Sequence, residues 1–441
     1  MINNEPLVKV DSISLAKLFE LNLAIPEYQR PYVWTSREID KLLYQFSEHN
    51  KRIIDFGVKP NFYLGSIVIH NDGEQYNIID GQQRITTLQI LGHIMNQSNY
   101  GIKYSNPITY KNIKQNFIDF ELKEFELIDF DSINVTLVET TSEDLAYNFF
   151  ETLNTGGKRL GGTDILKAHH LRSITENEER NSYALKWEKK QKNLEKVNRM
   201  LSKIRRMDYL HKHSFIPDKF TDDGNWKNIL TEDFAEKVKK ENRDIGYSFV
   251  EIEENTHKIT ADKYAIRQPL NEGANYINYL LNFKSDYDYL FTNYDQKKDK
   301  YSIFNKQIIN VIDGTSDLKY YYQLSLICFV DRFGRKNILE VSLYLFRFIY
   351  SLRLNDKARI YEATVSNFIE KELLLERILN AYTYEEVLTY IKKFEAKVFM
   401  DNISGVKQRY FERVNNFFNE SISKEKFDKD LSTAIENYIN K

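Results

Sequence analysis

The chain contains few of the residues that mark several classes of protein. Its 441 residues include one cysteine, Cys328, so an intrachain disulfide is excluded and a reducing compartment is the natural interpretation. No apolar run approaches the roughly 18 residues that a membrane-spanning helix needs. The first residues, MINNEPLVKV, show neither the basic region nor the apolar stretch of a signal peptide. We therefore expect a cytoplasmic protein with no membrane partner.

A charge excess of either sign is also missing. The 62 basic and 64 acidic residues give a formal net charge of −2, which provides no global attraction to nucleic acid or to an anionic membrane. Any contact with DNA must therefore come from a local patch. What the chain does have is length, with 42% hydrophobic residues, which is enough for two or three domains with sizeable cores.

The most informative stretch is QYNIIDGQQRITTLQIL, residues 75–91. Alternating apolar residues before Asp80 indicate a strand, and helical spacing from Ile85 onward indicates a helix. The junction at Gly81 to Arg84 places the N–H groups of a helix start beside a guanidinium, with hydroxyl donors at 86 and 87, and this combination suits a phosphate. The alternative is an ordinary turn with Arg84 in a surface salt bridge.

A second segment, EYQRPYVW at residues 27–34, is stiff because Pro31 restricts the preceding backbone to extended conformations. It holds Tyr28, Gln29 and Arg30 in a fixed arrangement. We interpret this segment as a candidate wall of a ligand-binding site. A packed entry loop with Tyr28 in the core is the alternative.

Local patterns give the other elements of this region. A strand at Phe62–His70 is followed by Asn-Asp-Gly, which is a hairpin signature, so the strand ending at Asp80 should return antiparallel. We further predict, in chain order, a helix from Thr35 with a capping box to Glu38, a helix at 85–97, a helical run near 113–125, a strand at 133–138 and a helix from Thr141.

A glycine-rich loop, NTGGKRLGGTD at residues 154–164, follows that helix. Its glycines permit close backbone approaches and its two cations add charge, so it is a second candidate phosphate cradle. The spacing does not fit a Walker A motif. A helix C-cap followed by an N-cap is the alternative.

Four segments together resemble the N-terminal domain of GmrSD-type modification-dependent restriction enzymes, which belongs to the ParB/sulfiredoxin-like group. They are YQRPYVW, the strand with Gly65-Ser66, IIDGQQRITTL and FFETLNTGGKRLGGTDILK. The similarity spans roughly residues 10–172 in the order of the family. A later stretch, Arg267 to Gly273, resembles a segment from the helical part of such proteins.

The resemblance implies an α+β nucleotide-binding domain with a mixed sheet over residues 1–172. The family couples nucleoside triphosphate binding or hydrolysis to the cleavage of foreign, often modified, DNA. The catalytic residues would then be Asp80, Gln83 and Arg84, working with Mg²⁺ or Mn²⁺. The nucleotide-binding residues would be Tyr28, Gln29, Arg30, Gly81, Gln82, Thr86, Thr87, Asn154, Gly157 and Lys158.

The sequence departs from many relatives, which carry a C-terminal His-Asn-His nuclease. Residues after His257 include no histidine, so we expect that nuclease to be absent here. The first hypothesis is a nucleotide-dependent endonuclease or nickase of an antiviral restriction system that acts on double-stranded DNA, such as modified phage DNA. The second is a non-cleaving, nucleotide-binding sensor that acts with a separate effector subunit. The third is a ParB-like clamp on DNA. Each hypothesis is compatible with a homo-oligomer.

Residues 173–441 predict an all-helical lobe. The segment 182–206 holds nine Lys or Arg against two Glu, and its apolar residues share one face, so we predict a basic amphipathic helix that contacts DNA backbone. A solvated helix face is the alternative. The DNA-binding candidates are Lys189, Lys190, Lys196, Arg199, Arg205 and Arg206. The pairs His169-His170 and His211 with His213 lack a recognisable ligand spacing, so we predict no protein-only metal site.

Overall fold

The computed structural model describes residues 8–56, 61–95, 101–104, 106–121, 128–153, 162–206, 223–253, 256–293, 299–312, 316–355, 360–399, 403–420 and 422–441. The chain divides into two compact units. One comprises Met1–Leu160 with Ile174–Lys186, and the other comprises Gly161–Ser173 with Trp187–Lys441.

The first unit is built on a five-stranded mixed sheet with the order β1-β5-β3-β4-β2. The pairs β1·β5 and β3·β4 are antiparallel, whereas β3·β5 and β2·β4 are parallel. The strands are β1 (Val8–Ser14), β2 (Leu23–Ala24), β3 (Phe62–Asn71), β4 (Tyr76–Asp80) and β5 (Ile133–Thr140). This sheet confirms the expected α+β fold and the predicted hairpin, whose turn is closed by Asp72 accepting from the backbone N–H of Gln75 at 2.8 Å.

The helices of the first unit lie where apolar periodicity places them, with shifted ends. They are α1 (Leu15–Phe19), α2 (Ser36–Phe56), α3 (Gln82–Ile94), α4 (Pro107–Glu121) and α5 (Glu143–Leu153). The predicted capping contact of α2 is present, because the Thr35 N–H donates to Glu38 Oε2 at 3.0 Å. Helix α3 begins earlier than the predicted residue 85, and α4 begins earlier than the predicted residue 113.

Helix α3 is the central helix of this unit. Nine of its 13 residues are buried, and Ile85, Leu88 and Leu91 pack in one core with Ile67 and Ile78 of the sheet. A helix this deeply buried must find partners for its polar side chains within the fold. That requirement shapes the site described below.

The second unit is mainly helical, as expected. Its helices are α6 (Gly162–Arg172), the C-terminal end of α7 (Asn177–Lys189), α8 (Leu194–Arg205), α9 (Asp223–Thr231), α10 (Ala274–Phe291), α11 (Lys300–Phe304), α12 (Ser316–Phe333), α13 (Ile338–Tyr350), α14 (Glu362–Lys371), α15 (Leu374–Asn380), α16 (Tyr384–Lys393), α17 (Gly405–Phe418) and α18 (Phe427–Asn440). A two-stranded hairpin, β6 (Tyr247–Glu253) with β7 (Thr256–Lys263), interrupts the helices and was not predicted. No helix in the described part of the chain has both the length and the apolar character needed to cross a membrane.

The predicted single basic helix at 182–206 is wrong, because this segment forms α7 and α8. The two helices are separated at Asn193, which adopts a left-handed conformation with φ 65°. Asparagine tolerates this conformation better than most residues. The predicted apolar face is buried, including Trp187, Val197 and Leu201.

Helix α6 is packed into the second unit by an internal ion pair. The Lys167 ammonium contacts the Glu188 carboxylate at the end of α7, and both side chains are almost fully buried, at 3% and 2% exposed. His170 of α6 is fully buried and stacks on Tyr276 with ring centroids 3.9 Å apart. These contacts fix α6 against the helices around it.

Candidate functional site

The site centres on the junction where β4 ends at Asp80 and α3 begins. Gly81 caps the helix with φ 97°, and a Cβ at this position would lie 2.2 Å from Ile67 Cδ1, so only glycine fits. The first intrahelical bond runs from the Ile85 N–H to the Gly81 carbonyl at 3.0 Å. The N–H groups of Gln82, Gln83 and Arg84 therefore have no acceptor within the helix, which gives this end its affinity for anions.

Arg84 is held against the sheet. Its Nη1 donates to the Leu64 carbonyl at 3.0 Å, and its Nη2 donates to the Ser66 carbonyl at 2.8 Å and lies 3.3 Å from Asp80 Oδ2. A Cβ at Gly65 would lie 2.3 Å from Nη1, so the missing side chain of Gly65 makes room for this guanidinium. Three of the five N–H donors of Arg84 are therefore used within the protein, so Arg84 mainly anchors this junction, and its contact with a phosphate stays a prediction.

Asp80 is a partly buried carboxylate beside two cations. Its side chain is 22% exposed. Burial raises the pKa of Asp80 above its usual value, while Arg84, the Gly81 N–H and the charge of Arg30 each oppose that rise. Asp80 and Arg30 therefore belong to one electrostatic cluster.

The glutamines at 29 and 83 connect the 27–34 segment to this junction. Gln83 Oε1 accepts from the Val33 N–H at 2.9 Å, and its Nε2 donates to the Pro31 carbonyl at 3.1 Å. Gln29 Nε2 donates to the Ile79 carbonyl at 2.8 Å. The predicted catalytic role of Gln83 is corrected, because both polar atoms of its amide are used to hold the backbone.

The two threonines of α3 are fully buried, so their predicted contact with a phosphate is also corrected. Thr87 Oγ1 donates to the Gln83 carbonyl at 2.9 Å and lies 2.8 Å from Tyr32 Oη. Thr86 Oγ1 lies 3.0 Å from Tyr104 Oη. Both threonines have 0% exposure, so a ligand cannot reach either hydroxyl without rearrangement.

The polar network beneath α3 was not predicted from the sequence. Asn116 Nδ2 donates to Tyr32 Oη at 3.0 Å, and burial raises the pKa of Tyr32 to about 12. Nothing in the local pattern links residues more than 80 positions apart. An Asn within an otherwise amphipathic helix was the available signal.

Gln82 differs from its neighbours in the signature. Its side chain is 5% exposed, and Nε2 has no hydrogen-bond partner among the residues that the structure describes. Buried amide donors are nearly always paired, so an unpaired one at a helix start indicates a place for an external acceptor.

The other nucleotide-binding candidates differ in how far the structure describes them. Tyr28 is 3% exposed and Arg30 is half-buried. The candidates Asn154, Gly157 and Lys158 lie outside the described residues.

The DNA-binding candidates fall into three groups. Lys189 and Lys190 are exposed. Arg205 donates to the carbonyls of Ile266 and Gln268 at 2.8 and 2.7 Å, and Arg206 pairs with Glu232 and Asp233 at 2.5 and 2.6 Å. The predicted DNA contacts of Arg205 and Arg206 are corrected, because both guanidiniums hold the lobe together.

The candidates Lys196 and Arg199 are half-buried on α8. Lys196 Nζ donates to Gln323 Oε1 at 2.7 Å, and Arg199 pairs with Glu195 at 2.6 Å. Lys196 therefore has a neutral amide as its partner, whereas Arg199 has a carboxylate.

Of the histidine candidates, His170 has an internal explanation. His170 Nδ1 accepts from the Gly273 N–H at 3.2 Å and its Nε2 lies 2.6 Å from the Phe234 carbonyl, so the ring is neutral with its proton on Nε2. Burial lowers the pKa of His170 well below its usual value. No group of three potential metal ligands occurs within the described ranges, and His211 and His213 lie outside them.

Residues 15–171 match the family described as the GmrSD restriction endonuclease, N-terminal domain. The chain carries a GmrSD-type N-terminal domain. The matched range includes the whole Asp80 to Thr87 signature and the 27–34 segment, so the resemblance and its motifs are confirmed.

A second match covers residues 179–408 and is described as a family of unknown function (DUF7834). It spans more than half of the chain, which therefore belongs to that family, and no His-Asn-His domain match accompanies it. No curated protein matches the chain. The GmrSD-type domain thus carries the functional information, and it supports a role in a restriction system.

Proposed function

We propose that the chain is a nucleotide-dependent DNA endonuclease or nickase of an antiviral restriction system. The observation that carries the proposal is the start of α3 in the GmrSD-type domain. There, free helix N–H groups and the unpaired Gln82 amide share a cluster with Arg30, Arg84 and Asp80. A helix start with these donors suits the phosphates of a nucleoside triphosphate.

The phosphate contacts come mainly from backbone and from Gln82. The N–H groups of residues 82–84 point along the helix axis towards the ligand, and Gln82 Nε2 supplies a side-chain donor. Arg30 supplies a further positive charge, because Arg84 is largely committed to β3. Gln29 and Gln83 position the segment that carries Arg30.

A divalent ion would fit this cluster only if Asp80 and the phosphates of the nucleotide bind it together. The described residues contribute one carboxylate, Asp80, and Mg²⁺ is commonly held by one or two carboxylates together with substrate phosphates. Bound Mg²⁺ or Mn²⁺ would neutralise charge on the phosphate oxygens. Asp80 would hold the ion or orient the attacking water, while Arg84 keeps its carboxylate in position.

The first experiment titrates each of the four triphosphates with Mg²⁺ or Mn²⁺ and measures hydrolysis and plasmid integrity together. We expect one triphosphate to be hydrolysed and plasmid to be nicked or cut. Asp80→Asn and Arg30→Ala should lower hydrolysis at least about 100-fold, as the loss of a group that stabilises charge in the transition state does. Arg37→Ala, on the exposed start of α2, is the matched control and should leave both readouts unchanged.

Plasmid that stays intact with every nucleotide and both metals would contradict the endonuclease proposal. Hydrolysis that survives in Asp80→Asn and Arg30→Ala would contradict the proposed site.

A non-cleaving sensor subunit is the second candidate function. It is favoured by the absence of histidine in residues 258–441, because a His-Asn-His nuclease needs a general-base histidine. The discriminating experiment adds the product of a neighbouring nuclease reading frame to the purified chain. Cleavage that requires both chains supports the sensor, and cleavage by this chain alone excludes it.

A further inference from the structure

Two lysines of the helical unit have neutral partners where an acidic partner would be usual. Lys196 of α8 donates to the side-chain amide of Gln323 at 2.7 Å, and Lys319 of α12 donates to that of Asn310 at 2.5 Å. Neither ammonium forms an ion pair with an acidic side chain in the described part of the chain. Both residues are half-buried, so their charge is only partly relieved by water.

The two lysines lie on facing surfaces of α8 and α12. Lys319 and Gln323 are four residues apart and share one face of α12. Because Gln323 accepts from Lys196, that face meets α8 at Lys196. Burial, together with the charge of Lys319, lowers the pKa of Lys196 to about 8. Burial also lowers the pKa of Lys319.

The other cations of α8 have different partners. Arg199 pairs with Glu195 at 2.6 Å, Lys203 lies 3.4 Å from Glu362, and Arg205 donates to two backbone carbonyls. On the facing surfaces of α8 and α12, the ammoniums without a carboxylate partner among the described residues are therefore Lys196 and Lys319. Two partly buried like charges destabilise each other, and an anion placed between them removes that cost.

We propose that Lys196, Lys319 and Gln323 form a phosphate-binding site that takes a backbone phosphodiester of DNA. The two ammoniums bind the non-bridging oxygens, and the amide Nε2 of Gln323 adds a neutral donor. Arg199, one turn along α8 and 27% exposed, extends the contact to the adjoining phosphate. The identity of the ligand as DNA rests on the proposed function, whereas the existence of the site rests on these contacts alone.

The first test measures the binding of a labelled DNA duplex as a function of salt, without nucleotide. In the double variant Lys196→Gln with Lys319→Gln, the slope of log affinity against log salt should fall by about one for each phosphate contact that is lost. Affinity at low salt should fall at least about fivefold. The matched control is Lys424→Gln with Lys429→Gln, which removes two exposed lysines at the C-terminal end of the unit. An unchanged slope in the first variant would overturn the proposal.

The second test uses the wild-type chain, so it does not depend on the folding of a variant. A lysine with a lowered pKa reacts faster with an acylating reagent at pH 8, and peptide mass spectrometry reports the rate at Lys196. Duplex DNA should slow this reaction at least about fivefold, whereas the rate at Lys429 should not change. Protection by pyrophosphate or a triphosphate but not by duplex would overturn the assignment to DNA. Protection by none of them would overturn the site.

Both tests are independent of nucleotide hydrolysis. If DNA protects Lys196 but the chain hydrolyses no triphosphate, the phosphate-binding site is supported and the proposed function is contradicted. A chain that hydrolyses triphosphate without this protection would show the reverse.

Discussion

The start of α3 and the facing surfaces of α8 and α12 are both rich in cations, but they leave different groups open. At α3 the guanidinium of Arg84 is largely used by β3, so what remains is backbone N–H, the amide of Gln82 and the charge of Arg30. Between α8 and α12 the open groups are side-chain ammoniums with neutral partners. A backbone site is insensitive to pH and is fixed by the fold, whereas an ammonium site depends on pH and salt.

The largest expected effect tests whether Arg84 is an anchor. Gly65→Ala places a Cβ 2.3 Å from Arg84 Nη1 at a residue with φ +114°, so we expect the free energy of unfolding to fall by about 3 kcal/mol or more. Chemical denaturation measures it. Gly73→Ala is the matched control, because its φ is +91° and no atom lies within 4 Å, so it should lose only about 1 kcal/mol. Equal losses in the two variants would show that Arg84 is not fixed at β3.

The next comparison separates two adjacent glutamines. Gln83→Ala leaves the Val33 N–H and the Pro31 carbonyl unpaired and should lower stability by about 2 kcal/mol. Gln82→Met removes a buried donor that has no partner, so its stability should stay within about 0.5 kcal/mol of wild type or rise. Its affinity for triphosphate should nevertheless fall about tenfold, measured by calorimetry. If Gln82→Met bound triphosphate normally, the unpaired amide would have no part in the site.

A smaller effect is expected for Lys196, in the dependence of stability on pH. Burial lowers the pKa of Lys196 to about 8, below the ordinary lysine value of 10.5. The folded state therefore binds fewer protons in that window, and stability rises as pH increases from 8 to 10.5. Because the side chain is partly exposed, the gain should be less than about 1 kcal/mol. Lys196→Met should flatten the rise measured by thermal denaturation, and saturating DNA should flatten it as well. A rise that persists in Lys196→Met must come from other groups.

The smallest effect concerns Asp80. Burial raises the pKa of Asp80 above 3.8, so the folded state binds more protons just above pH 3.8 and stability falls as pH rises through that range. Asp80→Asn should remove this fall and leave the thermal midpoint near pH 7 unchanged or slightly higher. A clearly lower midpoint would mean that the contact with Arg84 outweighs the burial of the carboxylate.

Local periodicity predicted much of the fold but could not show which polar groups were already paired. The hairpin before Asp80 and the strand-to-helix junction follow from patterns within about ten residues. The partners of Gln83 lie 50 and 52 residues away, and Thr87 meets Tyr32 across 55 residues. The signature therefore indicated the right place, while the division of its residues between anchoring and binding required the tertiary structure.

The basic segment, residues 182–206, also has features that local sequence patterns could not predict. Its apolar face was predicted, but the left-handed Asn193 that divides it was not, because the sequence does not distinguish it from Asn198, which lies within α8. Lys319 and Gln323 lie more than 110 residues beyond the segment, so no reading of residues 182–206 alone could pair them with Lys196.

Helix α6 has a practical consequence for dissecting the molecule. All of it except its last residue lies inside the range matched by the GmrSD-type domain, yet it contacts α8, α9 and α10 of the helical unit. A C-terminal fragment that begins after residue 172 would lack Ile165, Leu166 and Leu171 of its core. Its Glu188 carboxylate would be buried without its ammonium partner, Lys167. Such a fragment should aggregate, whereas one that retains α6 keeps the lobe's own packing intact.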